Sequence, residues 1–220
     1  MAAASKGAGL VYLCNPNNPT GTVHSPAAVE RFVRQVLAQS PDTHILIDEA
    51  YINYVADGLM ETALPLAKEF PNVFISRSFS KAHGLAGMRV GYALGQEETL
   101  DAINDAWGMG DVNMLAAVAA VTAFEDHEHI AWEREENARV RAFTTGVFTE
   151  LGYEVPPSQT NHLFVNIRMP AAKFREACMA EKVSVGRDFP PMHNSHCRIS
   201  LGSMEEMEIA AGVFRRVLTG

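Results

Sequence analysis

Three short apolar runs most constrain what this chain can fold into: Gly9-Leu10-Val11-Tyr12-Leu13-Cys14, His44-Ile45-Leu46-Ile47-Asp48 and Val73-Phe74-Ile75-Ser76-Arg77-Ser78. Each has strand length, is rich in aliphatic, β-branched or aromatic residues, and is stopped by polar or turn-forming ones. Between the first two, residues 27–39 read as a helix, with Ser25 as N-cap and Pro26 at its first position. Apolar runs alternating with helix predict buried strands, and hence a mostly parallel sheet in an α/β domain. A fourth run, Arg89-Val90-Gly91-Tyr92-Ala93-Leu94, extends it.

From Glu97 onward the pattern becomes helical, over 98–107, 113–124 and 128–151, the last long enough to bridge two domains. Then follow a strand at 163–167, a helix at 171–181, a short strand at 183–186, a Pro-rich loop, a strand at 197–201 and a helix from 203. This alternation predicts a smaller α+β domain. The expected division is 1–125 and 126–220. Trp107 and Met109 read as packing residues.

Of 220 residues, 47% are hydrophobic and 20% charged, which suits a globular fold with a sizeable core. A net charge of −8 without a basic stripe excludes nucleic acid and anionic membrane as default partners. Cys14, Cys178 and Cys197 are odd in number and far apart, so a disulfide framework is not expected and a reducing, cytoplasmic setting is. No apolar stretch is long enough to span a bilayer, and residues 1–9 lack a signal-type apolar core. His127, His129, His193 and His196 are closely spaced but lack the convergent set that a metal needs, so no metal is expected.

In open α/β sheets, ligands bind at the carboxyl ends of the strands. Those ends carry Asn18 after the first run, Asp48 and Tyr51 after the second, and Ser78, Ser80 and Lys81 after the third. A lysine desolvated in a cleft becomes a nucleophile toward carbonyls, whereas an ordinary strand-end lysine is simply solvated. Nearby hydroxyls, with Arg89 eight residues on, suit a phosphate.

In chain order, Asn15-Pro16-Asn17-Asn18-Pro19-Thr20-Gly21, Asp48-Glu49-Ala50-Tyr51 and Ser78-Phe79-Ser80-Lys81 with Arg89 resemble the fold-type I pyridoxal-phosphate aminotransferases, most closely the histidinol-phosphate aminotransferase group. The likeness runs from about residue 10 to 201. It implies an α/β fold, the C-terminal portion of that architecture, plus a small α+β domain. It also implies a pyridoxal 5′-phosphate cofactor, an amino acid and a 2-oxo acid as substrates, and a homodimer when full length. Lys81 would hold the cofactor aldehyde and move the substrate proton, and Asp48 would pair with the ring nitrogen. Tyr51 and Asn18 would bond the 3′ oxygen, and Ser78, Ser80 and Arg89 the phosphate. Arg198, in Cys197-Arg198-Ile199, would clamp the substrate carboxylate.

Arg187 aligns with a region that holds a distal substrate phosphate, and its alternative role is an ion pair with Asp188 or Glu181. Phe189, Pro190, Pro191 and Met192 suit an apolar side chain instead, so the two readings of the substrate diverge. His83 reads as a structural loop residue where the family more often has an apolar one. The family's upstream segment, which supplies further sheet, a phosphate-binding loop and a ring-stacking aromatic, has no counterpart here, so the chain is expected to be N-terminally truncated and to bind cofactor weakly by itself. Decarboxylation or β-elimination on the same fold, or a chain without turnover, are the alternatives.

Overall fold

The computed structural model describes residues 7–107 and 110–220. Met109 and the Trp107 side chain lie outside that description. The chain forms two compact units. Residues up to Pro16 group with Val23–Ala131, and Asn17–Thr22 groups with Trp132–Gly220.

The first unit holds β1 (Leu10–Cys14), α1 (Pro26–Gln39), β2 (His44–Asp48), α2 (Leu64–Glu69), β3 (Val73–Ser78), β4 (Gly91–Leu94), α3 (Glu97–Trp107), α4 (Met114–Glu125) and the start of α5 (His127–Glu150). The sheet order is β1-β2-β3-β4. β1, β2 and β3 are parallel, with Cys14 opposite Asp48 and Asp48 opposite Ser76. β4 runs antiparallel to β3. The connection over residues 79–90 is a set of turns that leaves the chain at the same sheet edge, and a parallel return would need a crossover element.

Side chains alternate across a strand, so this register sorts the two faces. Ile45, Ile47, Val73 and Ile75 lie on the face covered by α1 and α2, where Val29, Val33, Val36, Leu66 and Ala67 close the core. Burying a side chain of this size contributes about 1.5–3 kcal/mol relative to leaving it exposed. The other face carries Tyr12, Cys14, Asp48, Ser76 and Ser78, half-buried or exposed. The strands are therefore not equally buried on both sides, as continuous apolar runs had suggested; the second face gathers these polar groups toward the strand ends, beyond Leu10, Leu46 and Phe74. α1 starts where expected, with the Ser25 hydroxyl accepting from Ala28 N at 3.4 Å and Pro26 just inside. α4 is almost uncharged and leaves Met114, Leu115, Val118 and Val121 exposed.

The second unit combines the rest of α5 with β5 (His162–Asn166), α6 (Ala171–Ala180), β6 (His196–Ser200) and α7 (Met204–Thr219). β5 and β6 pair antiparallel, and Phe148, Phe174 and Phe214 pack with ring centroids 5.4 and 5.7 Å apart around Phe214. Burial pushes the Cys178 thiol up to about 11 and the Cys197 thiol up to about 12, so both behave as small apolar residues.

Residues 183–186 do not form the expected ladder strand. Val183 N is tied to Cys178 O of α6 at 3.0 Å, and at the far end Gly186 N reaches Arg198 O at 3.1 Å, so the middle diverges from β6. A cleft of about 400 Å³, lined by residues including Val183, Val185, Ile199 and Leu201, fills that gap. Asn17–Thr22 joins this unit through Gln159 N donating to Gly21 O at 2.8 Å. Gly21 is at φ +73, and a Cβ there would collide with the Ser158 side chain, so only glycine closes this turn.

α7 opens with a capping box in which Ser203 N donates to Glu206 Oε2 at 2.8 Å and Glu206 N to Ser203 Oγ at 3.3 Å. Ser203→Ala is expected to cost about 1 kcal/mol, read as a lower urea midpoint. An unchanged midpoint would show that the cap is redundant.

Candidate active site

In the first unit, the β2 and β3 ends gather the polar residues. Asp48 is the last residue of β2. Its Oδ1 accepts from Ala50 N at 3.0 Å and from Ser76 Oγ at 3.2 Å, and its Oδ2 accepts from the Tyr12 hydroxyl. Three donors hold the carboxylate in one orientation. Burial, then the bond to Asp48, drives the Tyr12 phenol well above its ordinary range, so Tyr12 stays a donor. Tyr12 was not among the residues singled out from the sequence. Its only signal is a two-residue offset from Cys14, which becomes informative once the register sets Cys14 opposite Asp48.

Tyr51 is buried, packed with Tyr54 and Ala82. The Lys81 ammonium lies 5.3 Å from the centre of its ring, within cation–π range. The turn carrying Lys81 closes by Gly84 N donating to Lys81 O at 2.8 Å, with Gly84 at φ +68, a conformation that glycine adopts without penalty. Leu85 N then returns to Phe79 O at 3.0 Å. The backbone thus presents Lys81 at the head of a short closed loop.

Ser78 Oγ accepts from Ser80 N at 3.0 Å, which shapes the step from β3 into that loop. Arg89 is exposed, in the left-handed region at φ 55, and its guanidinium donates to Ala86 O at 2.8 Å. Ser78 thus ends β3, and Ser80, Lys81 and Arg89 lie on the turns that follow it.

Glu49, next to Asp48, serves the scaffold. Its side chain is wholly buried and accepts from Arg77 at 2.9 Å, Thr62 Oγ1 at 2.9 Å and Ala63 N at 2.7 Å. Arg77 also donates to Thr62 at 2.8 Å. Burial pulls the Arg77 guanidinium down, but Tyr92 and Glu49 more than offset it and its pKa is raised.

In the second unit, Arg198 Nη1 donates to Asn18 Oδ1 at 3.1 Å, a bond across almost the whole sequence. The Arg198 Nε is buried and has no partner among the described residues, a donor poised for an acceptor. Phe189 collects two guanidinium groups, Arg187 at 4.6 Å and Arg198 at 5.0 Å from its ring centre. The carboxylates that could have neutralised Arg187 are engaged elsewhere: Asp188 with Arg175 at 2.7 Å, and Glu181 with Arg216. Asn18 thus sits with Arg198 by its contacts, and the remaining cofactor candidates sit in the first unit. Among the described residues no group of three His, Cys, Asp or Glu could hold a metal, and no helix is long and apolar enough to cross a membrane.

Known proteins resemble this chain in sequence and fold. The family described as aminotransferase class I and II matches residues 1–214. An aromatic amino acid aminotransferase of Mycobacteroides abscessus is 36% identical over 197 residues, covering 90% of this chain and 54% of that protein. A histidinol-phosphate aminotransferase of Lactiplantibacillus plantarum is 41% identical over 164 residues, 74% of this chain and 45% of that protein. The crystal structure of histidinol-phosphate aminotransferase from Sinorhizobium meliloti, solved in complex with pyridoxal-5′-phosphate, superposes with a TM-score of 0.86 at 27% identity, over 99% of this chain and 59% of the other. The chain spans about half the length of the curated relatives that it matches. The match across nearly the whole sequence shows that the chain belongs to the class I and II aminotransferase family.

Proposed function

We propose that this chain carries the cofactor and substrate groups of a pyridoxal-phosphate-dependent transamination between an amino acid and a 2-oxo acid. The observation that carries this reading is the Lys81 ammonium over the Tyr51 ring, on a loop that starts beside the oriented Asp48 carboxylate. The donor set fits the cofactor: an amine for an aldehyde, a fixed carboxylate for a protonated ring nitrogen, and hydroxyls with a guanidinium for a phosphate.

When bound, pyridoxal phosphate supplies the aldehyde and the electron-accepting ring. Asp48, held by Tyr12, Ser76 and Ala50 N, would keep a proton at the ring nitrogen. Lys81 would hold the aldehyde carbon and would carry a proton to and from the substrate Cα as a general base and acid. Ser78, Ser80 and Arg89 would hold the phosphate, Arg89 giving up its bond to Ala86 O to do so. Tyr51, in the first unit, would take the 3′ oxygen, a role that the family resemblance also gives to Asn18.

Arg198 binds the substrate carboxylate through its planar fork, and its buried, unpartnered Nε supports this role. Arg187, with Asp188 and Glu181 already paired, is available to a second anionic group, while Phe189 suits an aromatic side chain.

The test is to incubate the chain with pyridoxal phosphate, reduce with borohydride and map the modified peptide. Modification at Lys81, followed by production of a 2-oxo acid from an added amino acid, supports transamination. Released carbon dioxide or ammonia would replace it with a lyase reading, and an unmodified Lys81 would end the cofactor reading. Arg198→Lys is expected to raise the substrate KM about tenfold or more, since lysine cannot reproduce a two-pronged carboxylate contact. Comparing phenylalanine with histidinol phosphate, with and without Arg187→Ala, assigns the distal group: a loss confined to histidinol phosphate identifies Arg187 as its phosphate partner.

A further inference from the structure

Two histidines outside the catalytic set cross-brace the Lys81 loop. His83 Nδ1 bonds Ala123 O, near the end of α4, at 3.1 Å, and His129 Nε2, in the first turn of α5, bonds Ala82 O at 3.0 Å. A carbonyl can only accept, so each of these nitrogens bears its proton. With its proton on Nδ1, neutral His83 has an acceptor at Nε2, and Asn53 Nδ2 donates to it at 3.2 Å. Asn53 lies two residues past Tyr51, in the same turn. The His83 ring also packs on Phe79 with centroids 4.8 Å apart. One imidazole therefore links the loop of Lys81, the turn of Tyr51 and the end of α4, and a second returns from α5 to the residue next to Lys81.

We propose that His83 and His129 are positioning residues that hold the Lys81 loop against the Tyr51 turn, and that acidification loosens this hold. Protonating His83 puts a hydrogen on Nε2 facing the Asn53 amide hydrogens, so that amide must turn or the link opens. It also sets a charge beside His129. The other ionisable groups on the elements packed round the pair include Lys81, Tyr51, Tyr54, Tyr92, Glu125, Asp126, His127 and Glu128, and the Asp126 carboxylate accepts from His129 N at 2.9 Å. Burial lowers the His83 pKa, the bond to Ala123 O opposes this, and His129 adds to the lowering. The sign follows: a folded-state pKa below the unfolded one gives a contribution that is complete above about pH 6.5 and is lost as pH falls from there through the folded value.

This use of the braces rests on Lys81 being the cofactor lysine, so the test has one arm with cofactor and one without. Without cofactor, hydrogen exchange of the peptide covering 79–88 is followed at about pH 7.5 and about pH 5.5, corrected for intrinsic rates. His83→Phe, which keeps the ring and removes both bonds, is expected to speed exchange about tenfold at the higher pH, the loss of about one net hydrogen bond. Wild type is expected to approach the variant at the lower pH. His129→Gln keeps a donor for Ala82 O and is expected to retain the protection. With cofactor, borohydride trapping of pyridoxal phosphate at Lys81 is expected to need about five to ten times more cofactor in His83→Phe at about pH 7.5, and the ratio to wild type is expected to approach one at about pH 5.5.

Identical exchange and an identical pH profile in wild type and His83→Phe would overturn the proposal. So would a His129→Gln chain that loses protection as fully as His129→Ala. If His83→Phe fails to fold, Asn53→Ala reads the same link from the other side: an unchanged pH step there overturns it, a smaller one supports it. Failure to trap cofactor at Lys81 in wild type, with the exchange results as expected, would remove the transaminase reading and leave the brace standing.

Discussion

Lys81→Ala is expected to abolish borohydride-trapped cofactor and to lower any amino-acid half-reaction by about 10⁴-fold or more, because in the proposed reaction one side chain would both hold the aldehyde and move the proton. The reason lies in the loop. Its backbone is closed by the bonds from Gly84 N to Lys81 O and from Leu85 N to Phe79 O, so removing the side chain leaves the frame in place while taking away the amine. Lys68 is exposed on α2, which packs on the opposite face of the sheet from Asp48, and cannot stand in. Mass mapping of the trapped adduct and stopped-flow absorbance with amino acid read the result. Added methylamine, a diffusible base, is expected to restore part of the rate. An adduct of equal yield in the variant would disprove the assignment of Lys81.

Glu49→Ala is expected to be the most destabilising single change at the site, costing about 3–5 kcal/mol, because it strands a partly buried guanidinium without its counter-charge. The Glu49 side chain is wholly buried and that of Arg77 is 23% exposed, so water cannot fully replace the lost partner. The carboxylate also satisfies Thr62 Oγ1 and Ala63 N, and so fixes the start of α2 to the end of β2. Urea unfolding measures the loss. Pairing Glu49→Leu with Arg77→Met is expected to recover most of it, since a buried pair is worth little against apolar packing but much against a lone charge. A loss below about 1 kcal/mol in the single variant would show that Arg77 finds solvent.

The two acids at 48 and 49 are adjacent and alike in type, yet strand alternation sends them to opposite faces. Asp48 meets Tyr12 and Ser76; Glu49 meets Arg77 and Thr62. The Asp48 assignment came from motif spacing, whereas the role of Glu49 requires the register, because Arg77 is 28 residues away. The same holds for His83 and His129. In sequence one is a loop residue and the other part of a charged helical stretch, and only folding brings each to a carbonyl 40 and 47 residues distant. The unpaired middle of 183–186 was also out of reach, because β propensity in Val183 and Val185 says nothing about whether a neighbouring strand stays alongside.

What the sequence by itself determined is the local grammar: apolar runs of strand length, the Ser25-Pro26 helix start and the helix from Ser203, and the spacing of Asn18, Asp48, Tyr51, Ser78, Lys81, Arg89 and Arg198 that marks the family. These depend on neighbours within a few residues, where backbone sterics and capping act. Tertiary structure decided which partners those residues meet: the Tyr12 hydroxyl on Asp48, Asn18 on Arg198, the Glu49–Arg77 pair and the two imidazoles bracing the Lys81 loop. Such contacts join segments far apart in the chain. Strand register and burial select them, and neither is encoded in any single stretch of residues.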